Sequence, residues 1–177
     1  MLRQFKNITP VTGDEVFVAD NATVIGDVKI GNETNIWFGA VIRGDVNSIR
    51  IGNRTNIQDG CVLHVSGEKF SLNIGSDVTV GHNATVHGCI IEDRVLIGMG
   101  SVILDGSFIS SDSVIAAGAV VKEGFHVPSG VLIAGVPGKI VRELTQEEIA
   151  GILESAEHYV ELSKHYSVES QQIQRQN

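Results

Sequence analysis

Aliphatic residues recur at every sixth position along most of the chain. They run Val18, Val24, Ile30, Ile36, Ile42, then Ile51, Ile57, Leu63, then Ile74, Val80, Val86, then Ile91, Ile97, Ile103, Ile109, Ile115 and Val121. A period of six matches neither the 3.6 of an amphipathic helix nor the alternation of a half-buried strand. It fits short flat strands joined by turns, three to a coil of about 18 residues, with each inward aliphatic side chain stacked on its equivalents in neighbouring coils. Glycine often follows the aliphatic position, as at Gly31, Gly52, Gly75, Gly81 and Gly98, and a small residue or threonine sits four places on, as Ala22, Thr34, Thr55 and Ala84 do. The pattern predicts an all-β fold, a left-handed parallel β-helix or triangular solenoid, with coils about 4.8 Å apart.

The spacing slips three times: Ile42 to Ile51 is nine residues, Leu63 to Ile74 eleven, and Val86 to Ile91 five. Extra residues at a corner become loops outside the solenoid. After Val121 the pattern weakens through Gly124, Pro128 and Gly130, so residues 1–126 read as solenoid and 127–144 as a linker. Thr145-Gln146-Glu147-Glu148 has the form of a capping box, and Ile149, Ile152, Leu153, Ala156, Val160 and Leu162 follow it with helical spacing. Residues 145–168 are therefore expected to form a helix whose apolar stripe packs along the solenoid.

Composition removes several classes of function. The net charge is −8 and no basic stripe occurs, so nucleic-acid binding has no electrostatic basis. The N-terminal MLRQFKNITP has no apolar secretory core, and no run of about 18 apolar residues could span a membrane. A cytoplasmic protein without a membrane partner is expected. The two cysteines, Cys61 and Cys89, read as small buried residues in a reducing compartment.

In such a solenoid, residues 18 apart lie one above another once insertions are removed. His64 and His87 are 23 apart, and subtracting the five-residue insertion leaves one coil. Arg43 lies one coil from His64 after the three-residue correction, and Asp59 one coil from His82 after the five-residue one. Two histidines on adjacent coils can share one ion at nitrogen–metal distances of about 2.0–2.1 Å. His82 falls on the preceding face, around a corner. A neighbouring copy of the chain could bring its own His82 to that ion, which points to a homotrimer with metal at each interface.

The segments Arg43-Gly44-Asp45, Asn56-Ile57-Gln58-Asp59-Gly60, Leu63-His64 and Gly81-His82-Asn83-Ala84-Thr85-Val86-His87-Gly88-Cys89 resemble the gamma-class carbonic anhydrase family. The likeness runs from residue 10 or so to residue 166. It implies that His64, His82 and His87 bind a divalent metal across a trimer interface, Zn2+ first, with Fe2+ or Co2+ as alternatives. It implies an inter-subunit ion pair between Arg43 and Asp45, a hydrogen bond from Gln58 to metal-bound water, and a part for Asp59 in fixing the interface. Asn56 and Tyr159 are implied near the metal. The implied reaction is reversible hydration of carbon dioxide to bicarbonate by a metal-bound hydroxide.

The most active members of that family carry a glutamate directly after the Arg-x-Asp motif and another in a long acidic loop after the first histidine. Here Val46 follows Asp45, and the short loop VSGEKFSLN has Glu68 as its only carboxylate. The resemblance thus implies slow proton transfer. Two other functions stay open on the same scaffold: a non-catalytic metal-binding or assembly protein, and an acyl-CoA-dependent transferase or thioesterase. Fold alone does not choose among them.

Overall fold

The inward aliphatic positions build three stacks, one per face. Val18, Ile36, Ile57, Val80, Ile97, Ile115 and Ile133 pair in parallel register on the first face. Val24, Ile42, Leu63, Val86, Ile103 and Val121 do so on the second. Ile30, Ile51, Ile74, Ile91, Ile109 and Val127 complete the third. All but Val18 are buried. At roughly 1.5–3 kcal/mol for each fully buried aliphatic side chain, these stacks are the main source of stability. The result, in this computed structural model, is a parallel β-solenoid of about seven turns with one C-terminal helix. It describes residues 1–176, with side chains described through residue 168.

The corners explain the glycines. A Cβ at Gly52 would sit 2.5–2.7 Å from the backbone of Gly75 and Ser76 on the next coil, so a larger residue would force the coils apart. The first slip in spacing is absorbed within one continuous strand, Val41–Ile51, whose pairing with Thr23–Ile30 shifts between Gly26 and Val28. The second becomes an outer loop closed by a bridge between Ser66 and Phe70.

The stretch expected to be a linker, 127–144, instead holds the last coil. The sixfold spacing continues as Val127 and Ile133, both 0% exposed. Pro128 and Gly130 sit between these strands, where the solenoid needs turn residues in any case. The chain then folds back, and Lys139–Glu143 pairs antiparallel with Val131–Ala134, ending the first face.

The helix spans Gln146–Gln176. Its capping box is formed in both directions: Glu148 N–H donates to Thr145 Oγ1 at 3.2 Å, and Thr145 N–H donates to Glu148 Oε2 at 2.9 Å. Ile152, Ala156, Val160 and Ser163 are buried against the first face. Tyr159 and Tyr166 join Phe17, Trp37 and Phe38 in an aromatic cluster below them. No helix among the described residues is long and apolar enough to cross a membrane.

Candidate metal centre

His64 and His87 end neighbouring strands, Val62–His64 and Thr85–His87, and are paired in register. The strand pleat turns both side chains outward, since Leu63 and Val86 point to the core. His64 Nδ1 and His87 Nε2 lie 3.0 Å apart. The remaining ring nitrogen of each faces a carboxylate: His64 Nε2 is 2.9 Å from Asp45 Oδ1, and His87 Nδ1 is 2.5 Å from Asp105 Oδ1. His82, on the adjoining corner, has Nδ1 2.8 Å from Asp59 Oδ2, an ion-pair contact between two side chains that are 38% and 43% exposed.

This pattern constrains the protons. A ring nitrogen against an ionised carboxylate is the one that carries hydrogen, so in the neutral form of such an imidazole the other nitrogen is a lone pair. Two such nitrogens 3.0 Å apart need a shared proton or a metal ion between them. A carboxylate behind each imidazole is also the usual support of a metal-binding histidine. The donor set therefore fits a divalent ion. Among the described residues, no three His, Cys, Asp or Glu side chains converge as a metal cluster. His82 stays on its own corner.

Asp45 also accepts from Arg43 Nη1. Burial pulls the Asp45 carboxyl upward, but the bonds from His64 and Arg43 outweigh it and hold the group below the usual carboxylate range. It is thus an anion at neutral pH.

Gln58 and Asn56 form a buried relay beside His82. Gln58 Oε1 accepts from the His82 backbone N–H at 3.1 Å, and Gln58 Nε2 donates to Asn56 Oδ1 at 3.0 Å. Asn56 Nδ2 donates to Thr79 Oγ1 at 2.8 Å, which contacts Ser155 Oγ of the helix at 3.0 Å. One N–H and one oxygen lone pair of Gln58 are not used in these bonds. Gln58, His82 and Tyr159 open onto an apolar cavity of 560 Å³ between helix and solenoid, floored by Leu96, Val114 and Leu132. Burial, and then the charge of Asp59, push the Tyr159 phenol up, so it stays protonated at neutral pH.

The structure thus brings Arg43, Asp45, His64 and His87 together, and separately gathers Asn56, Gln58, Asp59, His82 and Tyr159. Within the chain Asp45 is hydrogen-bonded to His64 and to Arg43, and Asp59 lies 2.8 Å from His82 Nδ1. Asp105 was not among the expected site residues. It lies 18 residues after His87, so the same stacking rule points to it.

Residues 9–44 and 72–105 match the family described as bacterial transferase hexapeptide (six repeats), and residues 90–123 match the hexapeptide repeat of succinyl-transferase. A "Probable carbonic anhydrase" of Methanocaldococcus jannaschii is 49% identical over 149 residues, which is 84% of this chain and 93% of that protein. The mitochondrial "Gamma carbonic anhydrase 2" of Arabidopsis thaliana is 44% identical over 92% of this chain, and the chain spans 60% of that protein's length. A crystal structure of a "putative acetyltransferase" from Bacillus cereus superposes with a TM-score of 0.91 at 43% identity, covering 94% of this chain and 96% of its own.

Proposed function

The chain belongs to the gamma-class carbonic anhydrase family, and from that premise we propose that it interconverts carbon dioxide and bicarbonate at a divalent metal held by His64, His82 and His87 between the subunits of a homotrimer. One observation carries this reading: His64 and His87 each have one ring nitrogen hydrogen-bonded to a carboxylate while their other nitrogens meet at 3.0 Å, where an ion could bridge them. Zn2+ suits neutral imidazoles best, with Fe2+ and Co2+ as alternatives.

Such an ion supplies Lewis acidity, which makes a nucleophile from water at neutral pH. The rest falls to the chain's own side chains. Asp45, Asp59 and Asp105 fix which imidazole nitrogen stays free. Gln58, held from both sides, has a spare N–H and a spare lone pair with which to orient a water. The neutral Tyr159 and the apolar walls of the cavity suit an uncharged substrate. Turning water and carbon dioxide into bicarbonate releases one proton, lost when the water becomes the nucleophile. Neither Val46 nor the exposed Glu68 offers a buried carboxylate to carry it, so turnover is expected to be limited by proton transfer.

Stopped-flow carbon dioxide hydration by protein loaded with zinc, cobalt or, anaerobically, iron tests this. Activity above buffer that disappears in His87→Ala is expected. Full loading without activity would sink the reading. One observation favours acyl transfer as a second reading: His82, its Nδ1 2.8 Å from Asp59, stands at the mouth of an apolar cavity, where an imidazole can act as a general base. Cleavage of acetyl-CoA that is lost in His82→Ala but kept in His87→Ala would select it.

A further inference from the structure

Of the three carboxylates behind the histidines, Asp105 has the closest contact to its imidazole and the clearest room made for it. Asp45 divides its charge between His64 and Arg43, and the Asp59 carboxylate is 43% exposed. Asp105 is 20% exposed, and among the described ion pairs its sole partner is His87, at 2.5 Å. The backbone makes room for it. A Cβ at Gly88, the residue after His87, would overlap Asp105 Oδ1, and at φ +46 the position is in the left-handed region that favours glycine. Phe70, from the outer loop, lies over Gly88 and Gly106, so that apolar surface flanks the pair on that side. Gly106 N–H donates to Gly88 O at 2.8 Å, and Gly124 N–H to Asp105 O at 2.9 Å, which fixes the carboxylate-bearing corner to the coils on both sides.

We propose that Asp105 is a positioning residue for the metal site: it holds the proton of His87 on Nδ1 and so presents the Nε2 lone pair towards His64. The inference rests on the metal-binding reading above. Gly88 and Phe70 belong to the same device, one admitting the carboxylate and the other walling it in. Without Asp105 the His87 ring is free to take the other tautomer, whose Nε2–H cannot ligate, or to rotate away from the shared position.

The test has two arms. The first needs no variant. Nitrogen-15 spectra of the metal-free protein at about pH 9, where a free imidazole is neutral, should show His87 with a protonated Nδ1 and an unprotonated Nε2. A proton on Nε2 overturns the proposal. The second arm titrates cobalt(II) into the full-length protein by its visible absorption. Asp105→Ala should weaken binding by roughly 10- to 100-fold, the usual effect of losing such a support, and should abolish the Nδ1–H preference. Asp105→Asn, whose amide oxygen can still accept from Nδ1–H, should recover part of the affinity. Gly88→Ala, which displaces the carboxylate without removing it, should act in the same direction as Asp105→Ala. Unchanged cobalt affinity in Asp105→Ala refutes the positioning role. If the unaltered protein binds no cobalt, the metal reading of the site fails, and the nitrogen-15 arm still decides what Asp105 does to His87.

Discussion

Ser101 is buried at a solenoid corner, between Ala84 and Ala119 at the equivalent places one coil away on either side. Among the described residues its hydroxyl is the one buried side-chain polar atom without a partner. Ser107 and Ser113, at other corners, donate to the carbonyls of Leu104 and Pro128 at 2.8 Å each. A buried donor left unsatisfied costs about 1–3 kcal/mol. Ser101→Ala should therefore raise stability by about 1 kcal/mol, read as a higher denaturation midpoint with an unchanged slope. A lower midpoint would mean that the hydroxyl has a use in the assembled protein. The cysteines at this scale are inert: burial pushes the Cys61 thiol up to about 11 and the Cys89 thiol up to about 12. What the sequence showed at single positions follows from the solenoid itself. Periodicity turns sequence distance into height, so the pairing of His64 with His87 and of Asp59 with His82 was readable. Asp105 was reachable by the same rule but not singled out, because Leu104-Asp105-Gly106 reads as an ordinary turn and carboxylates are common at turns.

At the scale of elements, the C-terminal helix begins at a junction that should be sensitive to acid. Glu148 takes two bonds from Arg142 and one from the Thr145 N–H, and these hold its carboxyl down to about 2. A carboxyl lowered in the folded state stabilises it fully above the unfolded value of about 4.3, and the contribution is lost as pH falls towards the folded value. Glu148→Gln should thus fray the start of the helix at pH 7. Its difference from the unaltered protein should shrink between about pH 4 and 2. Circular dichroism melts across that range would show it, and a difference independent of pH would assign the effect to packing instead. The capping box was legible because its signal is local. The last coil was not, because Pro128 and Gly130 are breakers in most folds and only their position between Val127 and Ile133 makes them part of this one.

For the whole molecule, the first face is only half covered. The helix lies over its early coils, while the later outward residues Leu96, Val114 and Leu132 line the cavity, beside Met99, which is 58% exposed. With His82 separated from His64 and His87, both features are expected of a subunit that is completed by its neighbours. Sedimentation should give three times the chain mass of 18.9 kDa, and a chelator should shift the protein towards smaller species. A monomer that keeps its metal would contradict the shared site. The sheet ends make a different point. Lys139–Glu143 turns back across the last coil, and Leu2–Arg3 pairs with Val24–Ile25 near the first, so the stack is closed by strands that lie outside its own repeat. The coils between behave like a text with a reading frame of 18. Between His64 and His87, a residue added or lost inside a strand rather than in the outer loop would turn the rest of that strand's inward side chains off their face and part the two imidazoles. A whole coil gained or lost beyond Asp105 would leave the centre in frame. Lineages of this protein should therefore vary in length by entire coils away from the histidines, and by loop residues alone, at the 65–71 insertion, between them.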